Sequence, residues 1–465
     1  MTTVKKNTDF TSGPLFFKIL LYTLPIMATG LLQHMYNMAD NIVVGKFSGN
    51  VNALGAVGCT SAITALIVNT MIAMASGAAV IVSQSYGAKN DNLLSKSVHT
   101  SMTFSVVIGV LLSLIGIFVA RPALMLLNTN PTLLDSATLY MQIICLGIPA
   151  NAIYNFGAAI LRSVGDSKTP LVILSLAGLL NVLLNLVFVI VFKMTVDGVA
   201  LATIISQYAS AIAVVIILLR RSNTPYSFQF KKMGINKAIL IRMMRLGIPA
   251  AIQSSLFSIS NVIIQSAINS FPPEVVSAKT IASNIENTVY VLTNSFFHAA
   301  MTFTGQNLGA GKPERIKRVI LCTEAQVVII GATVGQIILL FCEPIASLYI
   351  DATDPNRLAV LSSAIDQMRL LLPLYFICGV MEALSGTLRG LGYSFLSMVI
   401  CILGACGIRV LWVFTFFNLE SLHNIVGIYM CYPISWSITA AAMAIALVIV
   451  LKKTIAKMNA TVTAN

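Results

Sequence analysis

The chain has 465 residues, 57% of them hydrophobic and only 10% charged, against roughly 25% charged in an ordinary soluble domain. Mean hydropathy is +0.87, and apolar runs long enough to cross ~30 Å of hydrocarbon recur from end to end, without the period-two alternation of a membrane barrel. The net charge of +13 falls in short loops between those runs, where Lys and Arg act as topology signals, so a nucleic-acid partner is excluded along with a soluble multidomain fold.

The opening MTTVKKNTDFTSGP leads into an apolar segment far longer than a signal-peptide core and is expected to be retained. The first helix is predicted near 15–44. Gln33, Tyr36, Asn37 and Asp40 share one of its faces, a polar stripe that suits a wet cavity better than lipid. Gln33, Tyr36 and Asn37 are therefore candidates for a substrate cavity. Spacing alone leaves Asp40 with two readings. It lies ~37 Å along the helix at about 1.5 Å per residue, where an untilted helix reaches the outer rim and an acid is cheap. Tilt or a bend at Pro25 draws it inward, where an ionised acid facing lipid costs ~3 kcal/mol or more and a cation partner is called for.

Further helices are predicted near 53–84, 97–119 and 133–161, with GDSKTP (165–170) as a break. The fifth, near 169–192, places Asn181 and Asn185 on one face, and their amide oxygens suit Na⁺ coordination or a hydrogen bond from a protonated Asp40. A sixth follows near 197–219. The polar, basic stretch RRSNTPYSFQFKKMGINK (220–237) reads as a linker between an N-lobe, 1–219, and a C-lobe, 238–465.

The second six helices are predicted near 239–269, 276–306, 319–342, 362–388, 393–417 and 425–451, with FPPE (271–274) and TDPN (353–356) as turns. The seventh carries Gln253 as a further cavity candidate. The eighth and tenth carry Glu286 and Glu382, and intramembrane acids suit cation exchange or the binding of a cationic compound. The eight cysteines form no CxxC pair and lie almost entirely in apolar runs, and the four histidines are scattered. No cofactor and no metal site is expected beyond Na⁺ at Asp40. Nor is an enzyme: there is no HExxH and no nucleophile–base set, and the glycines at 309–312 read as a loop turn.

Twenty Lys and Arg residues fall on one side of this arrangement. Five fall on the other, Lys46, Arg121, Lys193, Lys279 and Arg357. The positive-inside rule puts both termini and the linker in the cytoplasm. The halves also answer each other at an offset of about 222 to 227 residues. TLPIMATGLLQ (23–33) matches LGIPAAIQSSL (246–256), VSQSYGAKND (82–91) matches TGQNLGAGKP (304–313), and ILRSVGDSKTP (160–170) matches TLRGLGYSFLS (387–397). Six spans per repeat give both halves the same polarity, as in transporters that rock two bundles about an axis along the membrane normal.

The stretches LQHMYNMADNIVVGKF (32–47), AIYNFGAAILRSVGDSKTP (152–170), KTIASNIENTVY (279–290) and FTGQNLGAGKPERIKR (303–318) resemble the multidrug and toxic compound extrusion (MATE) family, and the bacterial drug-exporter branch within it. The resemblance implies an all-α polytopic fold of twelve helices in two six-helix lobes related by a pseudo-two-fold axis. It implies a functional monomer in the bacterial inner membrane that exports small organic, often cationic compounds by H⁺ or Na⁺ antiport. Asp40 matches the family's first-helix coupling acid; the repeat places Ile264 at its counterpart, so the fold itself needs no acid there. Thr203 matches a polar position on the sixth helix near that site, with Tyr140 and Asn155 further candidates on the fourth. Asn185 departs from an acid common in the family, which weakens a family-like Na⁺ site. Glu286 matches a motif acid, whereas AAIQSSLFSISN lacks the seventh-helix Glu of the Na⁺-coupled branch. A lipid-linked oligosaccharide flippase is the alternative. It needs a cationic interior, for which Arg369 and Arg409 are the expected intramembrane bases.

Overall fold

The computed structural model describes residues 9–47, 51–127, 129–351 and 354–463, without side-chain positions for 37–54, 56, 62, 421 and 459–463. Every regular element among them is helical, the form in which a span satisfies its own backbone in lipid. The long elements are α1 (Leu15–Phe47), α2 (Val51–Gly87), α3 (Asp91–Leu126), α4 (Pro131–Leu146 and Ile148–Ser163), α5 (Lys168–Leu186), α6 (Val196–Arg220), α7 (Lys237–Ile268), α8 (Pro273–Gly309), α9 (Pro313–Leu340), α10 (Arg357–Leu371 and Tyr375–Gly390), α11 (Ser394–Cys401 and Ile408–Phe414) and α12 (Cys431–Thr463). Among the described residues, ten helical stretches are long and apolar enough to cross a membrane, and the two parts of α4, bent by 43°, make an eleventh. The remaining long helix, α8, carries Lys279 and Glu286 within its length, and it completes the expected twelve.

Local sequence sets the ends and breaks. Asn90 caps α3 by accepting from Leu93 N–H at 2.9 Å, and Asn130 caps α4 with Pro131 in the first turn. Asp166 accepts from Thr169 N–H and Oγ1 at the start of α5 and pairs with the half-buried Arg221 beyond α6. Burial pulls the Arg221 guanidinium down, and hydrogen bonds and charge from Tyr226 and Asp166 more than offset it, so its pKa ends above the ordinary value.

The repeat is visible in backbone detail. α4 breaks at Gly147 before Pro149, and α10 breaks at Leu372–Leu374 around Pro373. These prolines are 224 residues apart, as are Pro25 and Pro249 inside α1 and α7. The fifth helix of each half contains a π-helical turn, Val187–Val191 and Ile402–Gly407. The turn after α2 puts Lys89 at φ 53° where the turn after α8 has Gly311 at φ 68°. Gly165 and Gly392 close the fourth and tenth helices at φ 95° and 94°.

The chain divides into two compact units, one holding Leu24–Ala251 and the other Phe10–Thr23 with Ile252–Asn465. In the second unit the segment before α1 is strapped to α8 and α9. Phe10 stacks on Phe303 at 3.9 Å, its N–H donates to Gln306, and Arg315 donates to the carbonyls of Phe10, Ser12 and Gly13. In the first unit the linker before α7 is strapped to α3 in the corresponding way, Gln229, Gly234 and Asn236 N–H donating to His99, Thr103 and Thr100.

Candidate functional site

In the first unit the polar candidates gather on α5. Asn181 Nδ2 lies 3.4 Å from Thr203 Oγ1 on α6, and Asn185 Nδ2 lies 3.4 Å from Asn181 Oδ1. One helical turn separates the two amides, which is why they meet, and both are buried. Tyr36 reaches the same helix two turns earlier. Its hydroxyl donates to Ser175 O at 3.1 Å and its ring lies against Gly178, where a Cβ would collide with it. Gln33 is exposed. Asn155 is buried and satisfied within its own helix, Nδ2 donating to Asn151 O and Oδ1. Tyr140 packs against the apolar core around Met141 and Val199. The side chains of Asn37 and Asp40 lie outside the described residues.

The second unit holds a different interior. Lys279, Glu286, Tyr290, Thr293 and Phe297 recur along one face of α8. Glu286 is 3% exposed and accepts from Gln367 Nε2 at 2.9 Å, with no basic group at ion-pair distance among the described residues. Glu382 on α10 feels the charges of Arg389 and Arg409 yet pairs with neither at that distance. Arg389 instead donates to Gln253 Oε1 at 2.8 Å and covers the Phe297 ring at 5.1 Å. Arg409, 1% exposed, donates to Ser435 Oγ at 3.1 Å and Asn261 Oδ1 at 3.2 Å between the rings of Phe257 and Tyr432. Lys279 lies over the rings of Tyr429 and Tyr432. Tyr290 senses the charge of Glu382, and Tyr375 that of Glu286.

Three sequence expectations are corrected here. Arg369 is not an interior base: its side chain is 68% exposed and sits 3.8 Å from Asp366. Lys279, counted as an outer-loop base, is buried in α8, because a Pro273 start places it in the second turn of the helix. Arg389, counted as a loop base, is buried in the last turn of α10. A buried acid also escaped notice. Glu324 on α9 has both carboxyl oxygens enclosed with no hydrogen-bond partner among the described residues; its one signal is a lone Glu in the apolar run VILCTEAQVV. Gln253, read as a cavity candidate, is taken up by Arg389.

Two internally repeated bundles of apolar helices with charge held inside one of them define a multi-pass membrane transporter. The MatE family model matches residues 25–187 and again 249–415, once per repeat and starting at the two equivalent prolines. The chain belongs to the MatE family, whose members are transporters and not enzymes. It is similar to the probable multidrug resistance protein YoeA of Bacillus subtilis, 28% identical over 90% of each chain. It is likewise similar to the probable multidrug resistance protein NorM of Thermotoga maritima, 26% identical over 82% of each. In fold it matches an outward-facing multidrug resistance MATE transporter of the MOP superfamily, TM-score 0.89 at 20% identity, covering 97% of this chain and 98% of that one.

Proposed function

We propose that the chain exports small organic compounds, organic cations among them, across a bacterial cytoplasmic membrane by alternating access against an inward flow of H⁺ or Na⁺. Relatives named as multidrug resistance proteins support the cargo class. The observation that carries the coupling is Glu286, a carboxyl withdrawn from water and held by an amide, with no basic partner at contact distance among the described residues. Such a group exchanges its charge compensation with a proton or cation when the cavity opens to one side.

Asp40, one turn beyond Tyr36 on α1, is proposed as the coupling acid of the N-lobe, with Asn181, Asn185 and Thr203 as its polar surroundings. Neutralising it removes a charge whose burial opposes closure. The lobes 1–219 and 238–465 then rock, with Pro25 and Pro249 as bending points, and cargo and cation alternate because they favour different states. Both termini and the linker are proposed to be cytoplasmic, and the monomer to be the working unit. Efflux of a cationic dye from proteoliposomes under independently imposed pH and Na⁺ gradients tests this. One of the two gradients accelerates export, and Asp40→Asn abolishes the acceleration in protein that remains folded; export indifferent to both gradients contradicts it.

A lipid-linked oligosaccharide flippase is the second reading, kept because Lys279, Arg389 and Arg409 give the second unit buried cations. Scrambling of a fluorescent lipid without any gradient-driven dye export would place it first.

A further inference from the structure

Around the ring of Tyr432 the second unit gathers more donors than the described acceptors, Ser435 and Asn261, can answer. Lys279 Nζ lies 5.1 Å and the Arg409 guanidinium 4.8 Å from that one centroid, so two cations share a single aromatic wall. Lys279 is more than nine-tenths buried, and ring faces are its only described contacts. A ring face attracts the charge but accepts none of the three ammonium hydrogens in the way an oxygen does. Arg409 bonds through Nε and Nη1, and no contact to Nη2 is described. Trp436, whose ring centroid is 5.8 Å from that of Tyr432, is 3% exposed, and its indole N–H has no partner among the described residues. Burying two like charges and an orphaned donor round one ring is costly unless something compensates them. Glu286 acts on Lys279, and Glu382 on Arg409, only as through-space charges; neither acid stands at ion-pair distance from these cations, and one Glu286 oxygen already accepts from Gln367.

We infer that Lys279, Arg409 and Trp436, with the rings of Tyr429 and Tyr432, form a binding site for one anionic oxygen group, a carboxylate or phosphate, carried on an apolar body. The anion supplies the acceptors these donors lack, and the rings flank its apolar part. This rests on the transport reading above and widens the cargo from organic cations to compounds bearing a negative head.

The test uses purified full-length protein in detergent. The chain has two tryptophans, Trp412 and Trp436, so a Trp412→Phe background makes Trp436 the reporter. In that background 1-naphthoate quenches the fluorescence with an affinity about tenfold or more above that of the uncharged 1-naphthalenemethanol, the gain expected of charge-assisted hydrogen bonds. Lys279→Gln weakens naphthoate about tenfold without weakening the alcohol, and Lys279→Arg keeps it within about threefold. Equal affinities for naphthoate and the alcohol overturn the site, as does a folded Lys279→Gln protein that binds naphthoate unchanged. The charge comparison in the background protein decides the matter even if Lys279→Gln does not fold.

Displacement of bound naphthoate by dioctanoyl phosphatidylglycerol, but not by dioctanoyl phosphatidylcholine, supports the site and assigns its occupant to a lipid headgroup. Displacement by 1-naphthyl phosphate alone supports it and assigns the occupant to soluble cargo. No gradient is involved, so failure here removes the anion site and leaves gradient-driven dye export, measured separately, where it stands.

Discussion

The two units share a backbone plan and differ in what they hold inside it. Among the described residues, every buried Lys, Arg, Asp or Glu (Lys279, Glu286, Arg389 and Arg409), and the enclosed carboxyl of Glu324, belongs to the second unit. The first unit's described interior relies on amides and hydroxyls such as Asn155, Asn181, Asn185 and Thr203. Its described ion pairs, Arg121–Asp135 and Arg221–Asp166, lie at helix ends. Yet the breaks at Pro149 and Pro373, the π turns of α5 and α11 and the left-handed turns at Gly165 and Gly392 recur in both halves. Backbone repetition therefore does not dictate interior chemistry. The charges of the second unit are an addition to the fold and a cost to it, which is why they mark function more sharply than a shared amide does.

Removing interior groups from each unit sharpens the contrast. The largest loss is expected from Arg409→Ala. It empties the space between the Phe257 and Tyr432 rings and strips Asn261 and Ser435 of their donor, costing about 3 kcal/mol or more. The half-loss temperature of monodisperse protein in detergent reads it. Gly178→Val follows, because a side chain there meets the Tyr36 ring and pushes α1 off α5. Overpacking of that kind costs about 2 kcal/mol, and the same assay on Gly178→Val with Tyr36→Ala should recover most of it. The smallest effect belongs to Asn181→Ala, which gives up two long hydrogen bonds, one to Thr203 and one from Asn185, together worth about 1 kcal/mol. A first-unit amide variant that destabilised the protein as much as Arg409→Ala would erase the contrast.

Helix count and repeat were legible in the sequence because a lipid-facing helix has to be apolar along its whole length. The same physics left α8 readable despite Lys279 and Glu286, since the apolar residues on its other faces continue to Gly309. Partners were less legible. Asn181 and Asn185 could be matched because four-residue spacing fixes which side chains meet on one helix, whereas Thr203 on α6 was reached only through the family resemblance. Gln367, by contrast, reaches Glu286 from 81 residues away, and Gln253 reaches Arg389 from 136 away; no local period announces such pairs. Lys279 was misplaced for a related reason. Its neighbours Pro272 and Pro273 look like a loop, but proline at the first turn starts a helix rather than ending one.

The central claim is that a second-unit acid exchanges the coupling cation, and Glu286→Gln in proteoliposomes tests it most directly. The amide still fills the space beside Gln367 but carries no charge to exchange. Dye movement down its own gradient is expected to persist, while acceleration by an imposed pH or Na⁺ gradient disappears. A Glu286→Gln protein that responds to the gradient as the unsubstituted protein does would contradict the account.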